Sequence, residues 1–130
     1  DLRGQQTLFP FGHGLSYTRF DYRNLKTKKN LEGVSVSLLV RNAGKQEGDE
    51  VVQIYVKDEV ASLCRPIKEL KAFERVTLVP GETRTVNFQI ARKDFGHLDR
   101  NLRHVLERGE FTVMAGSSSG DIRLSYSIQL

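Results

Sequence analysis

Tryptophan is absent from this 130-residue chain, cysteine and methionine occur once each, and proline occurs three times. With Cys64 as the single thiol, no internal disulfide can form, and a cysteine-based structural zinc site has too few ligands. The fold must therefore stand on packing alone, and no cofactor is expected. No apolar run approaches the roughly 18 to 20 residues that cross a bilayer as a helix, so no membrane partner is expected either. The formal charge of +4, from 20 Lys and Arg against 16 Asp and Glu, falls short of the dense basic stripe of a dedicated nucleic-acid binder. The chain has no Asn-x-Ser/Thr acceptor. It opens Asp1-Leu2-Arg3-Gly4-Gln5, without a basic-then-apolar leader, as a mature protein or a piece of a larger one would.

What the chain does have is alternation. Hydrophobic residues make up 38% and charged residues 28%, a globular balance for a length that suits one domain. Val34, Val36, Leu38 and Val40 share one face of a run, and so do Val52, Ile54 and Val56, with Gln53, Tyr55 and Lys57 opposite. Val86, Phe88 and Ile90 repeat the pattern, as do Phe111, Val113 and Ala115. The last run sets Ile122, Leu124, Tyr126, Ile128 and Leu130 against Arg123, Ser125, Ser127 and Gln129. Period two with one apolar face is the signature of antiparallel strands. Asn42-Ala-Gly44 with Gly48-Asp49, Pro80-Gly-Glu82, Glu107-Arg-Gly109 and Ser117-Ser-Ser-Gly-Asp121 supply turns between them. No window of helical length carries an i, i+3, i+4 stripe; Arg92 to Leu98 has room for one short turn. The expected fold is all-β, a disulfide-free two-sheet antiparallel sandwich of about seven strands in the fibronectin type III style. Its expected core includes Val36, Leu38, Val52, Ile54, Val56, Phe88, Phe111, Val113, Leu124 and Tyr126, and Phe88→Ala is expected to cost about 3 to 5 kcal/mol.

Residues 1–17 read as an extended strap and 18–130 as the sandwich. The bulky residues Phe9, Phe11 and Leu15 would be costly to leave in water. With His13 and Tyr17 they suggest either a contact with a preceding domain or a strap folded back over one sheet.

The segment Phe9-Pro-Phe-Gly-His-Gly-Leu-Ser-Tyr-Thr18 resembles the signature that closes the second domain of family 3 glycoside hydrolases, the β-glucosidases and β-xylosidases. Val40-Arg-Asn-Ala-Gly44, Gly48-Asp-Glu-Val-Val-Gln-Ile-Tyr-Val56, Arg65-Pro-Ile-Lys-Glu-Leu-Lys-Ala-Phe-Glu-Arg-Val76, Pro80-Gly-Glu82 and Gly109-Glu-Phe-Thr-Val-Met-Ala-Gly-Ser-Ser118 then resemble that family's C-terminal fibronectin type III-like domain, in order. Departures are His97-Leu98 before Asp99 and His104, where the family usually has aromatics, and Ala72 in place of a common glycine. Catalysis in this family is retaining and needs two carboxylates about 5 to 5.5 Å apart. The resemblance places them in two upstream domains, so no residue here inherits a catalytic role. The chain alone is expected not to be an enzyme, while its parent is expected to be one, most naturally a β-glucosidase. The resemblance also implies the catalytic domains as partners and favours an extracellular or periplasmic setting.

Other chemistries find little support. Gly12-His-Gly14 lacks the Lys-Ser/Thr and helix of a phosphate loop. His13, His97 and His104 share no ligand spacing. Asp49, Glu50, Asp58 and Glu59 form no calcium-loop pattern. Cys64 reads first as a packing residue, and Ser117, His104 and Asp99 lack a nucleophile elbow. The basic residues leave the larger question. Arg19, Arg23, Lys26, Lys28 and Lys29 crowd the first strand; Lys68, Lys71 and Arg75 form a second group; Arg100, Arg103 and Arg108 form a third. They read either as solvated strand faces or, with Tyr22 and Tyr55 for stacking, as a surface for insoluble polysaccharide or lignin. An independent adhesion-type domain is the remaining alternative.

Overall fold

The structure, a computed structural model, describes residues 18–59, 68–98, 104–106 and 109–130. Among these residues nine strands follow one another: β1 (Phe20–Asn30), β2 (Gly33–Asn42), β3 (Gly48–Asp58), β4 (Lys68–Leu78), β5 (Thr83–Ala91), β6 (Gly96–Leu98), β7 (His104–Leu106), β8 (Glu110–Ser118) and β9 (Asp121–Gln129). Seven of them build two antiparallel sheets, ordered β1-β2-β5 and β4-β3-β8-β9, while β6 and β7 pair as a small separate hairpin. A 3-10 turn at Arg92–Phe95 falls within the window where the sequence allows one. The hairpin sets Leu98 opposite His104.

The chain changes sheet between β2 and β3, again between β4 and β5, and again between β5 and β8. β4 pairs with β3 and not with β5. This puts the fourth strand in the opposite sheet from its place in a constant-type immunoglobulin sandwich.

Turn chemistry fixes two of the corners. Between β4 and β5, the amide of Glu82 donates to the Val79 carbonyl at 3.0 Å. Pro80 and Gly81 occupy the centre of this turn, and Gly81 takes φ 83°, the geometry of a type II turn. Between β1 and β2, Gly33 has φ 147°, and a Cβ there would lie 2.0 Å from the Ile90 carbonyl oxygen. That site admits only glycine, because β5 passes directly beside it.

The core lies between the sheets. β2 contributes Val34, Val36, Leu38 and Val40; β3 contributes Val52, Ile54 and Val56; β8 contributes Phe111, Val113 and Ala115. Val76 and Leu78 from β4, Val86 and Ile90 from β5, Phe95 from the 3-10 turn, Phe20 and Tyr22 from β1 and Ile128 from β9 complete it. Two of the expected core residues sit only at its edge, where Phe88 and Leu124 are partly buried. Phe88→Ala should therefore cost less than a full core deletion. Tyr126 is a correction: it is 48% exposed. Its register opposite Val113 points it inward, but β9 is the last strand of its sheet and leaves that side chain at the open rim.

Candidate functional site

Among the described residues, the basic side chains do not gather into one surface. On β1, Arg23, Lys26 and Lys28 stand opposite Leu39, Ser37 and Ser35 of β2, on the outer face of the three-stranded sheet. A bulge between Arg23 and Lys26 includes Asn24 at φ 58° and shifts the phase of the strand. Lys29 falls on the other side, opposite Val34, and its Nζ donates to the Gln129 carbonyl at 2.8 Å. Arg19 precedes the strand and is exposed. The second group belongs to the other sheet. Lys68 lies at the start of β4, Lys71 pairs with Glu69 at 3.0 Å, and Arg75 is bound by Asp49. These last two cations are already compensated by neighbouring carboxylates.

Neither tyrosine offers a ring face for stacking, since Tyr22 and Tyr55 are each 7% exposed. Tyr22 points inward opposite Val40. Tyr55 lies on the outer face of the four-stranded sheet, between Leu70 and Met114. Phe9, Phe11, His13, Leu15, Tyr17, Cys64, Arg100, Arg103 and Arg108 lie outside the described residues.

One polar cluster went unnoticed in the sequence. The Tyr22 hydroxyl donates to Glu50 Oε2 at 2.9 Å, and the Arg123 guanidinium lies 5.1 Å from the centre of the Tyr22 ring. Arg123 is the extra residue of a bulge in β9. Its Nη1 donates to the Phe20 carbonyl of β1 at 2.6 Å, and its Nε and Nη2 bind Asp121. The guanidinium thus closes the seam where β1 and β9, edge strands of opposite sheets, approach each other. Burial pushes the Tyr22 phenol up, and the Glu50 charge adds to the shift. Burial also raises Glu50, against the lowering pull of the Tyr22 hydrogen bond and Arg123. The hydrogen bond to Arg123 lowers Asp121.

A carboxyl group whose folded pKa is raised is penalised when ionised. The penalty is complete above the folded pKa and vanishes as the pH falls below the ordinary glutamate range near ~4.3. Glu50→Gln keeps an acceptor for Tyr22 and removes the charge. Its melting temperature should exceed that of the wild type by a few degrees at pH 7, and the two should converge near pH 4. Parallel melts at the two pH values check this, and a deficit for the variant at pH 7 would contradict it.

A cleft of about 220 Å³ opens at one end of the sandwich, lined by Lys29, Arg92, Phe95 and Leu130 among others. Among the described residues, no lining side chain is a carboxylate, so these side chains supply no acid/base pair. Among the described residues no three metal-ligating side chains cluster. Asp49 and Glu50 sit at one end of β3, and Asp58 and Glu59 at the other.

A fibronectin type III-like domain model matches residues 50–119. The whole chain aligns at 46% identity with thermostable β-glucosidase B of Acetivibrio thermocellus, covering 18% of that protein. It aligns at 49% identity over 86% of its length with a β-xylosidase of Formosa agariphila, covering 16% of it. Among solved structures, β-glucosidase 3B from Thermotoga neapolitana superposes with a TM-score of 0.80 at 35% identity, over 91% of this chain and 16% of that one. The chain thus spans less than a fifth of the length of these relatives. The family model covers more than half of the chain, which thus belongs to the fibronectin type III-like domain family.

Proposed function

We propose that this chain is a non-catalytic accessory domain of a family 3 glycoside hydrolase, in the first place a β-glucosidase, and that it braces the catalytic domains. In this reading Phe9, Phe11, His13, Leu15 and Tyr17 are contacts with those domains. The single observation that carries this reading is alignment across the full chain with under a fifth of a β-glucosidase. A sandwich whose interior is filled by apolar side chains from both sheets suits support better than chemistry. Deleting residues 18–130 from the full-length enzyme should lower its melting temperature or its soluble yield, while the surviving active site still hydrolyses a β-glycoside. An unchanged melting temperature would refute the brace.

A second reading has its own observation: Arg23, Lys26 and Lys28 lie along one strand on a hydrophilic outer face. A row of cations on a flat sheet suits an acidic polysaccharide or lignin. Binding would rest on charge, without the stacking expected of Tyr22 and Tyr55, and would weaken with salt. Depletion of the full-length protein by xylan or lignin, low salt against high, tests it. Charge reversal at Lys26 and Lys28 must abolish any depletion for this reading to stand.

A further inference from the structure

The two broad outer faces differ in chemistry. On the three-stranded sheet, the Ser35 hydroxyl donates to Gln89 Oε1 at 2.8 Å and Asn30 Nδ2 donates to Ser35 Oγ at 2.9 Å. Ser37, Thr85 and Asn87 continue this polar surface. On the four-stranded sheet, by contrast, Phe73 is 67% exposed and Leu70 49%, with Val51 exposed beside them. The register makes them neighbours. Val51 lies opposite Arg75, Phe73 opposite Gln53, and Leu70 opposite Tyr55, which in turn lies opposite Met114. Exposed apolar side chains therefore stand on β4 and at Val51 of β3, beside the buried Tyr55 and Met114. Ion pairs border them, Arg75 with Asp49 and Lys71 with Glu69. An apolar centre with a charged rim is the make-up of a contact surface.

The path of the chain indicates what covers these side chains. The Thr18 hydroxyl donates to the Gln46 carbonyl at 2.7 Å, and its side chain packs against Gly48, the first residue of β3. Thr18 thus lies beside the start of the strand that carries Val51 and Tyr55. In the relatives, more than four-fifths of the protein lies outside the matched segment, since the chain covers 18% and 16% of them.

We propose that the outer face of β4 and β3, centred on Phe73, is the surface that seats this domain against the catalytic part of the longer protein. This rests on the accessory-domain reading above and names the face that reading requires. A partner joined through the backbone at Thr18 is present at an effective concentration in roughly the millimolar range. A modest apolar patch suffices under that condition, although it would be small for partners that meet by diffusion.

The test uses the full-length protein in five forms: wild type, a deletion of 18–130, Phe73→Glu with Leu70→Glu, Phe73→Ser, and Ser37→Glu with Thr85→Glu as a charge-matched control on the opposite face. The Phe73/Leu70 variant should reproduce most of the deletion's loss in melting temperature. It should also be cleaved by protease near residue 17 about tenfold faster, as a coupling loss of ~1.4 kcal/mol implies. The control should behave as wild type. Phe73→Ser guards against misfolding, because truncating an exposed ring leaves the core intact; it should shift melting in the same direction by less. If the deletion destabilises the enzyme but the Phe73 variants match the control, the face is wrong and the brace stands. A deletion without effect overturns both. A change in oligomeric state with unaltered melting would assign the face to a second copy and overturn the proposal.

Discussion

Asn42→Ala is expected to cost the domain about 3 kcal/mol, more than most single changes outside an apolar core. Asn42 is fully buried yet every polar group it carries is used. Its Nδ2 donates to the carbonyls of Gln46 at 2.8 Å and Leu78 at 2.9 Å, and its Oδ1 accepts from the Gly44 amide at 2.9 Å. Its own backbone amide donates to the Glu82 carbonyl, and its carbonyl accepts from Gly81. One side chain thus ties the end of β2, the crossover to β3 and the end of β4, while its backbone holds the turn into β5. Alanine leaves the buried Leu78 carbonyl without this donor, at about 1 to 3 kcal/mol, and the half-buried Gly44 amide without this acceptor, at somewhat less. Urea denaturation measures the loss, and a value under about 1 kcal/mol would show that water replaces the side chain. Asn42→Asp sharpens the test. At pH 7 it directs a carboxylate at two carbonyl oxygens, so it should be the worse substitution. Protonation in acid restores one donor, so its deficit relative to wild type should shrink there.

Phe111→Ala should cost about 3 to 5 kcal/mol, against a total of about 5 to 15 kcal/mol for an ordinary domain. Phe111 is 2% exposed. Its ring meets that of Phe95 edge to face, with centres 5.2 Å apart and planes at 81°. The pair joins β8 to the 3-10 turn, so the loss reaches beyond one strand. A double-mutant cycle with Phe95→Ala should return a coupling of about 0.5 to 1.5 kcal/mol. Phe88, partly buried on β5, is the internal comparison. If Phe88→Ala proves as costly as Phe111→Ala, the assignment of the sandwich centre is wrong.

Both residues show how far alternation carries. The runs around Val34 to Val40, Val52 to Val56 and Phe111 to Ala115 state their buried face openly, because each lies against a covered sheet. β4 is harder to see. A bulge leaves Lys71 without a register partner between Leu70 and Ala72, which breaks the period of two that would mark the strand. Tyr126 follows the pattern and still ends exposed, since a pattern reports which side a residue faces but not whether a neighbour covers it. Asn42 looks like a turn residue, and its hub role depends on Leu78 and Glu82, which meet it only after the chain has crossed to the other sheet and built β3 and β4. The basic groups mislead for a related reason. Arg23 and Arg75 are both cations on strands, but they belong to opposite sheets, and only the folded register reveals that Asp49 neutralises the second.

The seam closed by Arg123 also governs the timing of assembly. The bond from its guanidinium to the Phe20 carbonyl spans 103 positions in the chain. At ribosomal rates of about 5 to 20 residues per second, β9 emerges roughly 5 to 20 s after β1. The β1–β2 hairpin can form within microseconds of its own synthesis. Through that interval Phe20 and Tyr22 lack the partner strand that shields them, and the nascent domain presents an open apolar flank. Maturation is thereby tied to the last strand made, and a holding chaperone would find its binding window between the appearance of β2 and that of β9.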